Sequence, residues 1–249
     1  MENTKKIVLI TGGTRGIGRH TCLKMAERGY QVLLTYKSNR EMAEELVQEI
    51  EAQGYSSPLI YQCDMTEPEQ VNSLIKFIKK EVGIIDVLIN NAGVLGNSKP
   101  FLLTPDQEWW FTLNTNIACV VNTCRAVLPM MIARKKGVIV NLTSLSGQKG
   151  NPGQSAYSAS KAAIVSFSKA LHKEMGPLGI KINCISPGLI ETDMTKDINP
   201  AYFQTRLANS PLKRMGKPEE VANLIAYMAD EAPSYLIGQE ITIDGGIGV

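Results

Sequence analysis

A short apolar run that leads directly into a glycine-rich turn constrains the fold of this chain more than any other feature. Residues 6–10 predict a parallel strand buried on both faces, because apolar side chains follow one another without alternation. The turn at 11–18 comes next, and a helix pattern begins near Gly16. Gly12, Gly16 and Gly18 permit tight bending and let backbone N–H groups approach a pyrophosphate at the helix N-terminus. The pattern therefore predicts a dinucleotide-binding strand–turn–helix unit.

Strand patterns alternate with helix patterns along the whole chain. Further strand-like runs occur at residues 31–35, 59–63, 85–89, 137–142, 180–185 and 240–243. Such alternation, without a Pro/Ser-rich linker or an internal repeat, predicts a doubly wound parallel sheet of the α/β class. With 249 residues, 44% of them hydrophobic, the chain can bury a sizeable core in one domain spanning residues 1–249. Residues 188–217 are the least regular stretch and are interpreted as a mobile substrate lid.

Several polar positions between the elements have structural interpretations. Asn90, at the end of the fourth strand pattern, is expected to tie neighbouring strands together. Thr66, with Glu69 three residues later, resembles a capping box for the following helix. The segment 104–107 has a threonine, a proline and a polar third residue, which predicts another capped helix start.

The charge balance argues against a nucleic-acid-binding protein. The formal net charge is +2 and 20% of the residues are charged, so bulk composition supplies no strongly basic surface. Residues 1–6 run into a strand pattern without the apolar segment and cleavage site of a signal peptide. No apolar run approaches the roughly 18 residues that a membrane span requires. We expect a soluble, cytoplasmic protein without nucleic-acid or membrane partners.

The cysteines and histidines give no sign of a metal site. The five cysteines are odd in number and include no C-x-x-C pair, which argues against a disulfide framework and against zinc. His20 and His172 lie beside no second plausible ligand and in no nucleophile motif. We expect reduced, structural cysteines, histidines with surface or packing roles, and no bound metal.

The residues after the second strand pattern favour NADP over NAD. Tyr36, Lys37 and Ser38 stand where NAD-dependent enzymes hold the ribose 2′-hydroxyl with an acidic side chain, and none is present. Arg15 in the glycine-rich turn, together with Lys37 and Ser38, can surround a 2′-phosphate by charge and hydrogen bonds. The alternative is that Arg15 and Lys37 are solvated surface cations. We expect NADP(H) as the cofactor.

A tyrosine and a lysine one helical turn apart form the candidate reactive centre. Apolar residues recur at helical spacing from Ser155 onward, so Tyr157 and Lys161 lie on one helix face. A free phenol has a pKa of about 10, and a nearby ammonium is expected to lower that pKa. Ser144 follows the strand pattern at 137–142, so we expect its hydroxyl at the carboxyl edge of the sheet, where it can hold a carbonyl oxygen. Tyr157 can then protonate the alkoxide formed when a hydride reaches the carbonyl carbon.

The Tyr-x-x-x-Lys spacing is weak evidence by itself, but it occurs together with other motifs. They are the turn at 11–18, Asn-Asn-Ala-Gly at 90–93, Ser144, Pro-Gly at 187–188 and Ile-Asp-Gly-Gly at 243–246. Together these motifs closely resemble the short-chain dehydrogenase/reductase family over nearly the whole chain. The resemblance implies a doubly wound Rossmann fold, with helices on both faces of a seven-stranded parallel sheet in the order 3-2-1-4-5-6-7. It also implies an NADP(H)-dependent oxidoreductase that acts on an alcohol or a carbonyl group.

The resemblance assigns functions to individual residues. The implied catalytic residues are Asn116, Ser144, Tyr157 and Lys161. Asn116 is implied to hold a water that links Lys161 to bulk solvent and re-protonates Tyr157, and Asp64 to contact the adenine region. Lys161 is also implied to bind the nicotinamide ribose. The full set of implied cofactor-binding residues is Gly12, Thr14, Arg15, Gly16, Ile17, Gly18, Tyr36, Lys37, Ser38, Asp64, Met65, Asn91, Ala92, Gly93, Tyr157, Lys161, Pro187, Gly188, Ile190 and Thr192.

Within this family, residues 187–195 are most similar to the 3-oxoacyl-[acyl-carrier-protein] reductases of fatty-acid or polyketide-type biosynthesis. That similarity implies an acyl thioester substrate on an acyl carrier protein, NADPH as reductant, and a homotetramer. Basic residues that could face an acidic carrier protein occur at 134–136 and around the expected lid, at Lys196, Arg206, Lys213, Arg214 and Lys217. Leu178 departs from the pattern, because those reductases often carry a basic residue there; a specialised pathway remains open.

Two other functions are compatible with the same residues. The catalytic set could act on a free small alcohol, sugar or steroid instead of a carrier-bound thioester. A non-enzymatic NADP-binding protein could share the fold, although the complete set of Asn116, Ser144, Tyr157 and Lys161 argues against it. Comparing turnover of acetoacetyl thioesters and free ketones separates the two enzymatic functions.

Overall fold

Seven parallel strands form one sheet at the centre of the molecule. The computed structural model describes residues 5–196, 207–208 and 210–248. The strands are β1 (Ile7–Ile10), β2 (Gln31–Tyr36), β3 (Leu59–Gln62), β4 (Val87–Asn90), β5 (Gly137–Leu142), β6 (Ile180–Pro187) and β7 (Glu240–Ile243). Their order is β3-β2-β1-β4-β5-β6-β7, and every neighbouring pair is parallel. The predicted fold class and strand order are therefore confirmed.

Helices cover both faces of this sheet. The α-helices of the described residues are α1 (Gly16–Glu27), α2 (Arg40–Ala52), α3 (Pro68–Phe77), α4 (Asp106–Arg134), α5 (Leu145–Lys149), α6 (Ser155–Met175), α7 (Asp193–Lys196) and α8 (Pro218–Asp230). Short π or 3₁₀ turns lie at Ile78–Val82, Phe101–Leu103 and Gly176–Leu178.

Alternate residues of each strand belong to different hydrophobic cores. In β1, Val8 and Ile10 share a core with residues of α1, α2 and α8, whereas Leu9 shares one with residues of α3, α4 and α6. All three of these side chains have no solvent exposure. Burial on both faces explains why the strands are continuous apolar runs in the sequence.

The carboxyl ends of the central strands define the edge where a ligand can bind. β1 pairs with β2 on one side and with β4 on the other, so the order of the strands reverses there. A crevice at this point is the usual ligand site of an open α/β sheet. The two loops that leave β1 and β4 are tied together, because the backbone N–H groups of Asn91 and Ala92 each donate to Thr11 Oγ1 at 3.0 Å.

Asn90 ties strands to a helix as predicted. Its Nδ2 donates to Asn141 Oδ1 at 2.8 Å, and Asn141 Nδ2 donates to Ser168 Oγ at 2.8 Å. These bonds join β4, β5 and α6. The chain of polar groups lies directly beneath the site that β5 and α6 carry.

The two predicted helix caps are wrong. α3 begins at Pro68 without a side-chain cap, and the Thr66 hydroxyl donates to Asp64 Oδ1 at 2.8 Å instead. α4 begins at Asp106 without a side-chain cap, and Thr104 Oγ1 donates to the Pro100 carbonyl oxygen at 3.1 Å. In each case the hydroxyl finds an acceptor in the loop before the helix. Sequence spacing does not distinguish that acceptor from a helical N–H group.

Helix α4 is long and apolar enough to span a membrane by length and composition. It has 29 residues, and an 18-residue window within it has a mean hydropathy of 1.4 with 50% of the window buried. Polar residues such as Asn114, Asn116 and Asn122 interrupt it, so α4 is not an uninterrupted apolar run of the kind considered in the sequence analysis. The apolar composition has a structural cause, since α4 packs beside α3 and α6 on one face of the sheet, in the second core.

The expected lid at 188–217 is only partly described. Residues 197–206 and 209 lie outside the described residues, and so does Arg206, one of the basic residues expected to face a carrier protein. The two described ends of the stretch are joined, because Ile190 bridges to Gly216 and Glu191 N donates to the Gly216 carbonyl oxygen at 2.9 Å. The lid stays a prediction.

Candidate active site

The glycine-rich turn presents the N-terminus of α1 to the crevice. Gly12 and Gly16 have φ angles of +64° and +52°, which residues with a Cβ rarely adopt. Asn91 Nδ2 donates to the carbonyl oxygens of Thr11 at 3.0 Å and Gly12 at 2.8 Å, so Asn91 holds the turn. A Cβ on Gly18 would lie 2.3 Å from the Gly12 carbonyl oxygen. Gly18 therefore allows α1 to pack against the turn.

A cleft of about 500 Å³ lies along the carboxyl ends of β1 to β4. The predicted cofactor-binding residues that line it are Gly12, Thr14, Arg15, Gly16, Ile17, Tyr36, Lys37, Ser38, Asp64, Met65, Asn91, Ala92, Gly93 and Thr192. Gly18, Pro187 and Ile190 do not line it: Gly18 packs within the turn, Pro187 ends β6 and Ile190 packs into the first core. The structure thus brings most of the predicted set into one site.

The cleft has lining residues that the sequence analysis missed. Phe111, Thr115 and Cys119 come from α4 at intervals of four residues, so helical spacing around Asn116 could have identified this face. Thr35 lies near the end of β2, where the rule that ligands bind at carboxyl ends applies. The remaining ones are Asn39, Met42, Cys63, Thr66, Val94, Asp193 and Met194. Thr66 and Asp193 give no local signal, because their contact with the cleft depends on how the loops fold back.

Polar and charged groups gather at the outer end of the cleft. Lys37 Nζ lies 2.6 Å from Asp64 Oδ2, and Asp64 Oδ1 accepts hydrogen bonds from both the backbone N and the hydroxyl of Thr66. Burial acts to raise the pKa of Asp64, but the bonds from Lys37 and Thr66 outweigh it and hold that pKa below its ordinary value. Arg15 is exposed at the same end and forms no ion pair with any described residue. Lys37 is therefore already partnered, whereas Arg15 remains available to an anion.

The donor set of the cleft fits a nicotinamide dinucleotide phosphate. The α1 N-terminus and the glycine-rich turn supply N–H groups for a pyrophosphate. Arg15, Lys37 and Ser38 supply the cationic and polar groups that a ribose phosphate requires. At the inner end, a Cβ on Gly93 would lie 2.9 Å from Asn116 Oδ1, so the glycine lets the loop after β4 pack closely against Asn116, near Lys161.

A smaller pocket of about 80 Å³ contains Ser144 and Tyr157. Met194 lines both this pocket and the cleft, which are therefore neighbours. Ser144 caps α5, and its Oγ accepts a hydrogen bond from Ser146 N at 3.1 Å. Gly188, expected at the cofactor, lines this smaller pocket instead.

Burial dominates the ionisation of Tyr157. It raises the pKa of the phenol above its ordinary value, and a hydrogen bond with Ser144 opposes that rise to a smaller extent. Lys161 was expected to lower the pKa of Tyr157, but its Nζ lies 5.7 Å from the centroid of the phenol ring. The ammonium instead donates to the Leu142 carbonyl oxygen at 2.9 Å. In this structure Ser144, rather than Lys161, is the group that stabilises the phenolate.

Lys161 is almost entirely removed from solvent. The residue is 6% exposed, and burial lowers the pKa of its amine to about 8, with Cys119 and Cys184 opposing the shift. A Cβ on Gly147 would lie 2.9 Å from Ala162 N, so α5 packs directly on the turn of α6 that carries Lys161. This close packing accounts for the burial of the amine.

Asn116 joins α4, α6 and the loop after β4. Its Oδ1 accepts from Val94 N at 2.8 Å, and its Nδ2 donates to the Val94 carbonyl oxygen and to Ser160 Oγ, each at 2.9 Å. Both amide hydrogens of Asn116 are therefore engaged with protein groups. The implied water-holding role stays a prediction, and it would use the remaining acceptor capacity of Oδ1.

The described histidines and cysteines have structural environments. His20 Nε2 lies 3.1 Å from Glu219 Oε1, and His20 Nδ1 lies 2.9 Å from the Gly16 carbonyl oxygen, which links α1 to α8. All five cysteines are free and buried. In the described part of the chain, no three His, Cys, Asp or Glu side chains lie together as metal ligands.

A protein-family model described as Enoyl-(Acyl carrier protein) reductase matches residues 12–248. The 3-oxoacyl-[acyl-carrier-protein] reductase FabG of Staphylococcus epidermidis is 37% identical over 242 residues, covering 97% of this chain and 98% of that protein. The enzyme of the same description from Chlamydia trachomatis serovar D is 37% identical over 242 residues, covering 97% of each chain.

Solved structures are similar over nearly the whole chain. The 3-oxoacyl-[acyl-carrier protein] reductase from Brucella melitensis superposes with a TM-score of 0.91 at 29% identity, covering 99% of this chain and 92% of that one. The structure described as gox2181 superposes with a TM-score of 0.93 at 29% identity, covering 98% of this chain and 95% of that one.

Proposed function

Because the chain belongs to the short-chain dehydrogenase/reductase family, we propose that it is an NADPH-dependent ketoreductase acting on a 3-oxoacyl thioester of an acyl carrier protein. The observation that carries the proposal is that Ser144 and Tyr157 line one pocket, which adjoins the dinucleotide cleft. Relatives of this sequence over nearly its full length bear the name 3-oxoacyl-[acyl-carrier-protein] reductase, which supports the substrate class. The product would be the 3-hydroxyacyl thioester.

Two hydroxyl groups converge where a carbonyl oxygen would bind. When bound, NADPH supplies a hydride for the carbonyl carbon. Ser144 donates a hydrogen bond to the oxygen, and Tyr157 delivers the proton that the oxygen requires as it becomes an alkoxide. The raised pKa of Tyr157 keeps its phenol protonated at neutral pH, which is the form needed for reduction. Lys161 and Asn116 complete the proposed catalytic set: Lys161 binds the nicotinamide ribose, and Asn116 holds the water for re-protonation.

The choice of NADP over NAD is part of the proposal. Tyr36 ends β2 and Lys37 and Ser38 follow it, and none of the three is an acidic residue that would repel a 2′-phosphate. Arg15 lies at the same end of the cleft without an ion pair among the described residues, and its guanidinium can bind phosphate in a bidentate manner. Lys37 contributes while remaining bonded to Asp64. Arg15 therefore supplies most of the selectivity in this proposal.

The carrier-protein partner is supported by exposed cations beside the end of α4. Lys135 and Lys136 are exposed and form no ion pair with described residues, whereas Arg134 Nη1 lies 3.0 Å from Asp86 Oδ1. A Cβ on Gly179 would lie 2.2 Å from the Lys135 carbonyl oxygen, so Leu178 adjoins this basic patch in space. Lys135 and Lys136 thus provide the charge that Leu178 lacks.

Around the lid, Lys217 is exposed without an ion pair among the described residues, whereas two of the other expected cations are already bonded. Arg214 bonds Glu220 through both terminal nitrogens, and Lys213 Nζ donates to the Ala208 carbonyl oxygen. Arg206 and the side chain of Lys196 lie outside the described residues. The patch at Lys135 and Lys136 is therefore the part of the carrier-protein prediction with the stronger support.

The assembly and location are proposed on general grounds. Trp110 and Phe111 of α4 are 54% and 57% exposed, and large exposed apolar groups often mark a subunit interface. We propose a homotetramer in the cytoplasm, built from single domains of residues 1–249 with a lid at 188–217. Light scattering of the purified protein measures the number of subunits, and a monomeric mass would contradict the assembly.

The substrate class is tested with four substrates at equal concentration. Acetoacetyl thioester on acyl carrier protein, acetoacetyl-CoA, a free ketone panel and a crotonyl thioester are each incubated with NADPH or NADH, and loss of absorbance at the nicotinamide band is followed. We expect the highest kcat/KM for the carrier-bound acetoacetyl group with NADPH. Preference for free ketones would favour the small-alcohol dehydrogenase, and turnover of crotonyl alone would favour an enoyl reductase. Absence of cofactor oxidation with every substrate would favour a non-enzymatic NADP-binding protein.

A further inference from the structure

The chain forms a tight turn after β7 that its aspartate holds in shape. Asp244 Oδ1 accepts from Gly246 N at 2.9 Å, and Asp244 Oδ2 accepts from Gly248 N at 2.7 Å. Gly245 and Gly246 have φ angles of +64° and +82°, so the turn depends on glycine at both positions. We call residues 244–248 the C-terminal turn.

The C-terminal turn packs against the elements that carry the candidate active site. A Cβ on Gly188 would lie 2.5 Å from Asp244 Cβ, so the absence of a side chain on Gly188 lets the turn approach the end of β6. On the other side, a Cβ on Gly248 would lie 2.7 Å from Leu145 Cδ1, in the residue after Ser144. Ser210 Oγ donates to the Gly245 carbonyl oxygen at 3.3 Å. The C-terminal turn is therefore held in place by its contacts with Gly188, Leu145 and Ser210.

This packing places Ile247 in the pocket of Ser144 and Tyr157. Ile247 lines that pocket together with the apolar side chains of Leu189 and Met194. The same pocket is also lined by polar side chains from a different part of the chain, those of Ser146, Asn151 and Gln154. The lining residues from the C-terminal turn and the segment after β6 are thus mainly apolar, apart from Thr195, and those from the segment between β5 and α6 are mainly polar, apart from Leu145.

We propose that Ile247 determines the acyl-chain specificity of the enzyme and that Asp244 is the positioning residue that holds Ile247 in the pocket. The inference rests on the proposed ketoreductase function. A 3-oxoacyl thioester has an alkyl group on one side of the reacting carbonyl and a polar thioester on the other. The mainly apolar lining matches the alkyl group, and the volume of about 80 Å³ leaves little space beyond a short chain.

The effect of side-chain size at position 247 on chain-length preference is tested with 3-oxoacyl thioesters of increasing length. Wild type, Ile247→Ala and Ile247→Phe are compared on 3-oxobutyryl, 3-oxohexanoyl and 3-oxooctanoyl thioesters with NADPH. We expect Ile247→Ala to raise the ratio of kcat/KM for the eight-carbon over the four-carbon substrate by about 3- to 10-fold, and Ile247→Phe to lower it, since methylene groups gain or lose space. Ile84→Ala is the matched control, because Ile84 is 41% exposed and precedes β4 at the opposite edge of the sheet.

NADPH affinity, measured by fluorescence titration, should be the same in wild type and in every variant at position 247. If Ile247→Phe does not fold, Ile247→Val with Ile247→Ala provides a second size series. An unchanged chain-length ratio in folded variants, while wild type reduces the thioesters, would overturn the inference and leave the proposed function intact. Absence of thioester reduction by wild type would overturn the proposed function, and this inference with it.

The positioning role of Asp244 is read from the split between KM and kcat. Asp244→Ala removes both acceptors of the turn, whereas Asp244→Asn retains one carbonyl oxygen. We expect KM for the 3-oxohexanoyl substrate to rise about 10-fold in Asp244→Ala and less in Asp244→Asn, with kcat within about twofold of wild type. An equal loss of kcat in both variants without a change in KM would contradict the role.

Discussion

Among single residues, removal from solvent decides which protonation states the candidate site can use. Burial raises the pKa of Tyr157, so the phenol retains its proton at neutral pH. The same cause lowers the pKa of Lys161 to about 8, so the amine is close to losing its charge just above neutrality. A protonated phenol is the required state for delivering a proton to an alkoxide. The phenol is therefore in the form that ketone reduction requires, as an ordinary phenol would be at this pH, and its raised pKa makes it a weaker acid.

Replacing Tyr157 by phenylalanine removes the proton donor and little else. We expect kcat for acetoacetyl thioester to fall by about 100- to 10,000-fold, the usual contribution of a general acid. NADPH affinity, measured by fluorescence titration, should change by less than about threefold, because the ring is retained. Tyr235→Phe is the matched control, since Tyr235 is 97% exposed. Turnover close to that of wild type in Tyr157→Phe would reject the catalytic assignment.

The lowered pKa of Lys161 predicts a pH dependence of stability. The amine titrates near 8 in the folded protein and about 10.4 in the unfolded chain, so between those pH values the unfolded chain binds more protons. The free energy of unfolding should therefore rise with pH across this window, and the penalty for the buried charge is full below pH 8. Lys161→Met lacks this contribution.

We expect wild type to gain about 2 kcal/mol relative to Lys161→Met between pH 7 and pH 10. Urea denaturation of both proteins at each pH measures the difference, in which the cysteines and tyrosines common to both cancel. If the difference in unfolding free energy between the two proteins does not change with pH, burial does not lower the pKa of the Lys161 amine.

Among the elements, close backbone contacts set the distances between the helices and the sheet. The end of α4 and the turn before β6 meet at Lys135 and Gly179, which both have positive φ angles. Gly179 has a φ of +79° and lies against the Lys135 carbonyl oxygen, whereas Gly54 has a φ of +82° and has no atom within 4 Å of a Cβ. The two glycines share one backbone conformation and differ in packing.

This pair separates conformational strain from a steric clash. Gly54→Ala should cost about 1 kcal/mol of unfolding free energy, because alanine is strained in the left-handed region. Gly179→Ala carries the same strain, and we expect an additional loss of about 2 kcal/mol as the backbone at Lys135 is displaced. Chemical denaturation of both variants measures the difference. Equal losses of unfolding free energy in the two variants would mean that the contact between the end of α4 and the turn before β6 can relax without an energetic penalty.

At the scale of the whole molecule, the cofactor and the carrier protein are proposed to bind at different surfaces. The cleft at the reversal of strand order holds the donor set for the dinucleotide, and the basic patch of Lys135 and Lys136 lies at the end of α4, before β5 begins. The patch lies at the amino-terminal edge of the sheet, opposite the pocket, so we propose that a carrier protein docked there delivers its arm to the pocket of a neighbouring subunit in the proposed homotetramer, whereas a small thioester needs no such docking surface. The patch should therefore affect only substrates that are attached to the carrier.

Reversing the charge of the patch tests this separation. In the double variant Lys135→Glu with Lys136→Glu, we expect KM for acetoacetyl-carrier protein to rise roughly tenfold at low salt, with less effect at high salt. KM for acetoacetyl-CoA and NADPH affinity should be unchanged. Lys76→Glu with Lys79→Glu is the charge-matched control, because these lysines are exposed on and after α3. Equal effects of the two double variants would reject a docking role for the patch.

Local patterns in the sequence determined the strands, most element boundaries and the positions of the candidate reactive residues. Apolar runs buried on both faces identify strands without any knowledge of their neighbours, and the four-residue spacing of Tyr157 and Lys161 places both on α6. The order of the strands and the role of Asn116 came from resemblance to a family, because strand pairing is a long-range property.

Only the tertiary structure decided how the site is closed and charged. Thr66 and Thr104 have the spacing of helix caps, yet their hydroxyls bond groups in the preceding loops. The C-terminal turn, which begins 100 residues after Ser144 in the sequence, packs against Leu145, and the structure places Ile247 in the pocket. Lys161 carries a lowered pKa because α5, α6 and β5 together exclude water from its amine. Desolvation depends on every atom packed around a group, so no pattern within one segment can determine it.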